Sequence, residues 1–176
     1  VVDFDNRFWI RTNRNGAVDF ALISAPHDNT AEEHWRIEIP HRPGILILDV
    51  DTFADFIVRV ERENGLPRIV VRERTTGAEH SIDFQEAAYS LGVSNGYLWD
   101  SPWLRFDYSS PTTPAQVFDY DMRTRERILR KTQQVPSGHN PSDYIVERID
   151  APGDDGALVP VTLLRHRTTP VDGTAP

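Results

Sequence analysis

Hydrophobic and polar positions alternate over short runs along most of the chain. Phe8-Trp9-Ile10-Arg11-Thr12-Asn13 leads to an Asn15-Gly16 turn, and Phe20-Ala21-Leu22-Ile23-Ser24 follows. Trp35–Ile39, Ile45–Val50 and Phe56–Arg62 continue the pattern, and Ile69-Val70-Val71-Arg72 resumes it beyond an Asn64-Gly65 turn. Runs rich in β-branched and aromatic residues, broken by Asn-Gly, Thr-Gly or proline-rich turns, predict antiparallel hairpins. Only Asp83–Ser90 and Met122–Lys131 have any helical character, and neither is capped at both ends. The fold class expected is all-β.

The runs also repeat. Arg11, Arg59 and Arg105 each follow an apolar residue within a strand, at intervals of 48 and 46 residues. Ala21, Ile69 and Val117 mark the next strand at intervals of 48, and Ile37, Ile82 and Leu129 the one after, at 45 and 47. Apolar runs at Ile45–Val50 and Tyr89–Val93 precede the second and third units. A four-stranded unit recurring every ~47 residues has the period of β-propeller blades. Such a unit cannot bury both faces of its sheet alone, so neighbours must stack. The alternative is an immunoglobulin-like sandwich with evenly spaced strands.

The organisation expected is a partial propeller of about two and a half blades over 1–134, with blades at about 1–40, 44–85 and 88–133. The first blade is read as its outer three strands. VPSGHNPSD, within 135–143, has the composition of a linker. In 144–176, Tyr144–Ile149 and Leu158–Leu164 form a hairpin around Gly153-Asp154-Asp155-Gly156, outside the repeat and assigned to the start of a different domain. The text opens on VVDFDNRFWIRTN without an initiator methionine and stops at TTPVDGTAP, so it reads as an excised piece of a longer protein.

Composition narrows the function. No apolar run reaches the ~18 residues of a membrane-crossing helix. A net charge of −8 opposes nucleic-acid binding, which requires clustered Lys and Arg. The absence of cysteine removes disulfides, thiolate metal sites and a cysteine nucleophile. It fits a cytoplasmic origin and is compatible with the periplasm.

YSSPTTPAQVFDYDMRTRERILRKTQQVP, followed by Tyr144–Arg167, resembles the oligopeptidase B (protease II) branch of the prolyl oligopeptidase family of serine peptidases. Ser109-Ser110 with Thr112-Thr113-Pro114 between two strands is one element of the likeness. The turn at Asp121 to Thr124 after Phe118 is another, and Asp155-Gly156-x-x-Val159-Pro160-Val161 the third. The resemblance runs through the whole chain and is strongest from about residue 97. It implies a seven-bladed propeller capping an α/β-hydrolase domain, and a parent enzyme that cleaves short peptides after Arg or Lys. In that reading the chain is a non-catalytic fragment whose propeller gates access to a domain lying outside it. Cut blade edges would favour self-association.

Candidate chemistry within the chain is sparse. The family's serine sits on a G-x-S-x-G elbow, a motif this sequence lacks. Ser137-Gly138-His139 is the nearest serine–histidine pairing, and it stands in a loop. The other histidines, His27, His34, His41, His80 and His166, are scattered without metal-ligand spacing. Asp49 with Asp51, Glu32-Glu33 and Asp154-Asp155 are carboxylate pairs accounted for by strand ends and turns. Trp9, Trp35, Trp99 and Trp103 are read as core between blades, with a carbohydrate platform as the alternative. No catalytic, cofactor-binding or metal residue is assigned. The rival functions are a free-standing protein-interaction module and a carbohydrate-binding β-domain.

Overall fold

The computed structural model describes residues 2–94 and 98–174, with side chains described from residue 5 onward. Among the described residues, fourteen strands, joined by turns and three short 3-10 segments, form four antiparallel sheets. The first sheet holds β1 (Val2–Phe4), β2 (Arg7–Thr12), β3 (Ala21–Pro26) and β4 (Arg36–Ile39). The second holds β5 (Ile45–Thr52), β6 (Phe56–Glu63), β7 (Leu66–Glu73) and β8 (Glu79–Ser81). The third holds β9 (Ser90–Ser94), β10 (Trp103–Ser109), β11 (Gln116–Asp121) and β12 (Arg127–Thr132). Within each of these sheets the strands lie in sequence order, the meander of a propeller blade. The fourth sheet is the hairpin of β13 (Tyr144–Pro152) and β14 (Leu158–His166).

The ~47-residue repeat is structural. Arg11, Arg59 and Arg105 occupy the second strands β2, β6 and β10, and Ala21, Ile69 and Val117 the third. Two expectations are corrected. The first sheet has four strands, because Val2–Phe4 pairs with Arg7–Trp9. The helical character of Asp83–Ser90 and Met122–Lys131 is not realised: the first is an irregular connection into β9, and the second becomes a turn and then β12. Neither segment carries a periodic apolar stripe to bury, so strand pairing prevails over propensity.

The middle sheet is buried on both faces, and β6 shows how. Phe56 and Val58 point toward the third sheet, in a core with Ile69, Leu104, Phe106, Tyr120 and Met122. Ile57 points the other way, into a smaller core with Trp9, Leu22, Ile39, Ile47 and Val50. Successive strand residues face opposite sides, so one run serves two interfaces. Arg59 and Glu61 share the face of Ile57, and each is almost wholly buried. The first three sheets stack in series, with one core between the first and second and another between the second and third. This rules out the sandwich alternative, in which two sheets share one core.

Asn64 and Gly65 both have positive φ, 50° and 76°, as the two-residue turn between β6 and β7 requires. Glycine is needed at 65 for a second reason. A Cβ there would lie 3.2 Å from Nη2 of Arg148 and 3.3 Å from Cγ of Pro160. The β13–β14 hairpin therefore rests directly on this turn, and Arg148 donates to the Asn64 carbonyl.

Candidate functional site

The proline-rich reversal between β10 and β11 is built by its own hydroxyls. The Ser110 Oγ accepts from the backbone N–H of Thr112 (3.0 Å) and of Thr113 (2.8 Å). The Ser110 N–H donates to the Thr113 carbonyl, 3.1 Å away. Proline at 111 and 114 cannot donate, so the remaining amides are satisfied by the serine. The threonine hydroxyls point elsewhere, and both donate to the carboxylate of Glu86 in the β8–β9 connection. The corner is thus tied to the preceding blade junction through one acid.

Burial pushes the Glu86 carboxyl up, but hydroxyls of Ser110, Thr113, Tyr108 and Thr112 outweigh it and hold the group below its ordinary value of 4.5. Burial, and then the neighbouring Glu86, push the Tyr108 hydroxyl up. A depressed acid contributes stability above its unfolded value and loses it as pH falls through the lower folded value. Glu86→Gln is therefore expected to cost about 1 kcal/mol at neutral pH. In urea titrations from pH 7 to pH 3, the gap between variant and parent should close below pH 4.5. A gap that is constant across the series would rule out this role for the charge.

His139 reaches the same corner from the 135–143 segment. Its Nε2 lies 2.7 Å from the Thr112 carbonyl, which can only accept, so the ring donates there. The ring also stacks on Tyr144, with centroids 5.8 Å apart. It fastens the segment to the corner and is not aimed at a hydroxyl. The remaining histidines serve local contacts. His80 Nε2 meets the Tyr120 hydroxyl at 2.9 Å, and burial followed by the charge of Arg125 lowers its pKa. His166 Nδ1 is 2.7 Å from the Thr168 hydroxyl, and His27 packs on Phe8 with centroids 4.4 Å apart. His41 lies 3.6 Å from Asp19, and His34 lies 3.5 Å from its neighbour Glu33. Among the described residues no three His, Cys, Asp or Glu groups converge as metal ligands would.

The carboxylate pairs stay local. Asp49 and Asp51 flank the buried Val50 on β5, next to a register shift between Ile47 and Asp49. Glu32 pairs with Arg14 at 3.0 Å, and Asp155 caps the hairpin tip by accepting from the Ala157 N–H at 3.0 Å. The tryptophans divide, correcting the expectation of four core residues. Trp9 is buried between the first two sheets, whereas Trp99 and Trp103 are exposed. Trp35 is half-buried beneath the guanidinium of Arg14, 5.5 Å from its ring. Their alternating neighbours are alike in sequence; only the stacking order of the sheets tells them apart.

Sequence reasoning missed the charged groups inside the stack. Glu61 accepts from Arg59 (2.8 Å), from Arg68 (2.7 and 2.9 Å) and from Arg42. Arg59 in turn holds both oxygens of Glu79, at 2.8 and 2.9 Å. Burial pushes the Glu61 carboxyl up, and the hydrogen bonds from Arg59 and Arg68 overcome it, so its pKa is lowered. In the third sheet Arg105 and Arg130 both clasp Asp119 at 2.7 Å. The Asp121 side chain caps its turn by accepting from the N–H groups of Arg123 (2.8 Å) and Thr124 (3.1 Å). Arg123 also bridges to Asp55, in the turn between β5 and β6 of the second sheet, at 2.7 Å. The Asp-x-x-Thr motif is therefore both a turn and a tie between blades.

A sequence model described as the prolyl oligopeptidase N-terminal β-propeller domain matches residues 1–133, three-quarters of the chain. The chain belongs to that family. Dipeptidyl aminopeptidase BI of Pseudoxanthomonas mexicana is 37% identical over 172 residues, covering 97% of this chain and 24% of its own length. Protease 2 of Moraxella lacunata is 25% identical, covering 100% of this chain and 25% of its own length. Among solved structures, oligopeptidase B from Trypanosoma brucei with covalently bound antipain superposes with a TM-score of 0.87 at 25% identity. That alignment covers 97% of this chain and 25% of the other. Oligopeptidase B from Leishmania major has the same fold, with a TM-score of 0.85 at 22% identity and coverage of 95% and 24%. The chain spans about a quarter of the length of the curated relatives it matches.

Proposed function

We propose that this chain is the closing part of the propeller of a serine peptidase acting on short peptides, in which the propeller caps the catalytic domain. The observation that carries the reading is the propeller-domain match over residues 1–133, joined to relatives that are peptidases along nearly the whole chain. Residues 1–134 are the propeller part in this reading, 135–143 the linker, and 144–176 the start of the passage to the catalytic domain. The propeller's contribution is shape and rigidity. Sheets packed through apolar cores and cross-sheet arginine ties make a wall that keeps folded proteins out and admits short chains. Such a role needs no titrating groups of its own.

The substrate proposed is a short peptide cleaved after Arg or Lys, as the oligopeptidase B likeness implies. A second reading, release of dipeptides, is favoured by the 37% identity to a dipeptidyl aminopeptidase. The test uses the full-length protein from the parent reading frame, with two chromogenic amides. One is an amino-blocked arginyl amide and the other a dipeptidyl amide with a free amino group. Turnover of the blocked amide, abolished by a serine-directed inhibitor, supports the first reading. Turnover confined to the free-amino substrate supports the second. Neither amide being hydrolysed, or hydrolysis insensitive to the inhibitor, would overturn the peptidase assignment.

A further inference from the structure

The first and second sheets enclose a cleft of about 220 Å³ at the end opposite the Asn64-Gly65 turn, and four arginines line it: Arg7, Arg36, Arg72 and Arg74. Trp9 and Ile57 form its apolar side. Both walls belong to this chain, so the cleft does not depend on a neighbouring blade. Like charges brought together beside apolar groups repel one another more strongly than they do in water. In a chain of net charge −8, such a convergence calls for a compensating group.

Among the described residues two carboxylates line the cleft, and they offset only part of this charge. Asp5 pairs with Arg74 at 3.6 Å. Glu38 accepts from the Ser24 hydroxyl at 2.6 Å. The other three arginines keep donors unspent. Arg7 is held rigidly by the fully buried Ser24, through Nε to its hydroxyl (2.7 Å) and Nη2 to its carbonyl (2.9 Å). Its Nη1 meets no acceptor among the described residues. Arg72 makes one long hydrogen bond, 3.4 Å to the Glu38 carbonyl. Its charge also acts on Glu79, opposite it on β8, whose carboxylate is bonded to Arg59. Arg36, exposed at the start of β4, forms no hydrogen bond or ion pair with any described residue. Pre-oriented guanidinium groups with free N–H forks match the geometry of carboxylate and phosphate oxygens.

We propose that this cleft is a binding site for a small oxyanion, a carboxylate or phosphate group held by Arg7, Arg36 and Arg72. Arg7 supplies the fixed donor, and Arg36 and Arg72 close on the anion from the strands on either side. The size of the cleft suits one such group with its immediate substituent, not an extended polyanion.

The test is isothermal titration of the intact chain at low ionic strength, where surface charge is least screened. The probes are inorganic phosphate, a tripeptide with a free C-terminal carboxylate, and the same tripeptide amidated. Saturable binding of phosphate or of the free tripeptide is expected, weakened on the order of tenfold in Arg36→Gln and in Arg72→Gln. Arg36 has no partner to lose, so that variant keeps the fold even if Arg72→Gln disturbs it. Arg62→Gln, an exposed change of equal charge on β6, should leave the affinity unaltered. Loss of tripeptide binding on amidation assigns the carboxylate, and binding of phosphate alone assigns phosphate. Absence of saturable binding for every probe, or equal weakening by Arg62→Gln, overturns the site.

Discussion

Glu61→Ala is expected to lower the stability of the chain by about 3 kcal/mol or more, because it strands a buried cation. Arg59 is 1% exposed and Glu61 is wholly buried, so neither can turn to water without opening the stack. Arg42 and Arg68 are partly exposed and can relax toward solvent, and Arg68 keeps Glu63 at 2.5 Å. Arg59 keeps only Glu79, itself partly exposed. The cost therefore falls at the lower end of the range for a broken buried pair. Replacing both partners by apolar residues, Arg59→Met with Glu61→Leu, should recover much of the loss, since a buried ion pair stabilises little over a packed apolar one. Equilibrium denaturation of the three proteins checks this. A single variant within about 0.5 kcal/mol of the parent would show that water reaches Arg59.

The pH dependence has a definite sign. The Glu61 and Glu79 carboxyls are both held below 4.5 in the folded chain. For Glu61 burial opposes the arginine hydrogen bonds but loses to them; for Glu79 the hydrogen bond from Arg59 is the leading cause. Their contribution is complete above 4.5 and disappears as acid titrates the folded groups at lower pH. The loss caused by Glu61→Ala should shrink over that acid range.

Phe106→Ala carries a comparable penalty by a different route, about 3–5 kcal/mol. The ring has no exposed surface. It stacks on Phe118 at 5.2 Å and meets Phe84 edge-on at 5.8 Å, and the guanidinium of Arg127 lies 5.6 Å from its centroid. Removing it opens a void between the second and third sheets that neighbours on paired strands cannot collapse to fill. It also takes one of three aromatic faces from Arg127, which is bonded to the Asp83 carbonyl at 2.7 Å. Asp107→Asn, the next residue on the opposite face of β10, should change stability by less than ~0.5 kcal/mol. Denaturant midpoints that fall equally for both would mean that β10 is not buried on one side.

The alternation of residues in β10 made that contrast readable in advance. Leu104, Phe106 and Tyr108 are buried and Trp103, Arg105 and Asp107 are exposed, a strict period of two. The positions of Arg11, Arg59 and Arg105 in the repeat likewise showed that the strands recur. What the repeat hid is that these arginines have different lives. Arg105 is exposed and clasps Asp119, Arg11 donates to the carbonyls of Ile47 and Leu48, and Arg59 is buried in a network. Their local text is equivalent. Their burial depends on which sheet lies opposite, and that is a property of the stack.

The corner at Ser109–Pro114 follows the same division. Its hydroxyls and prolines announced a turn, and Ser110 closes that turn as local chemistry predicts. That Thr112 and Thr113 serve Glu86, 26 and 27 residues away, could not be read from the turn. Nor could the arginine cleft, whose four arginines come from three strands and a turn up to 67 positions apart, Arg7 to Arg74.

By itself the sequence determined the all-β class, the blade period and the turns, and its motifs pointed to the peptidase family. Backbone hydrogen bonding and side-chain alternation are local, so they leave a periodic trace. The tertiary structure alone decided which charges are buried, which tryptophan is core, and where free guanidinium groups gather. Those outcomes depend on the faces two sheets turn toward each other, where desolvation makes each unpaired group costly and each pairing specific.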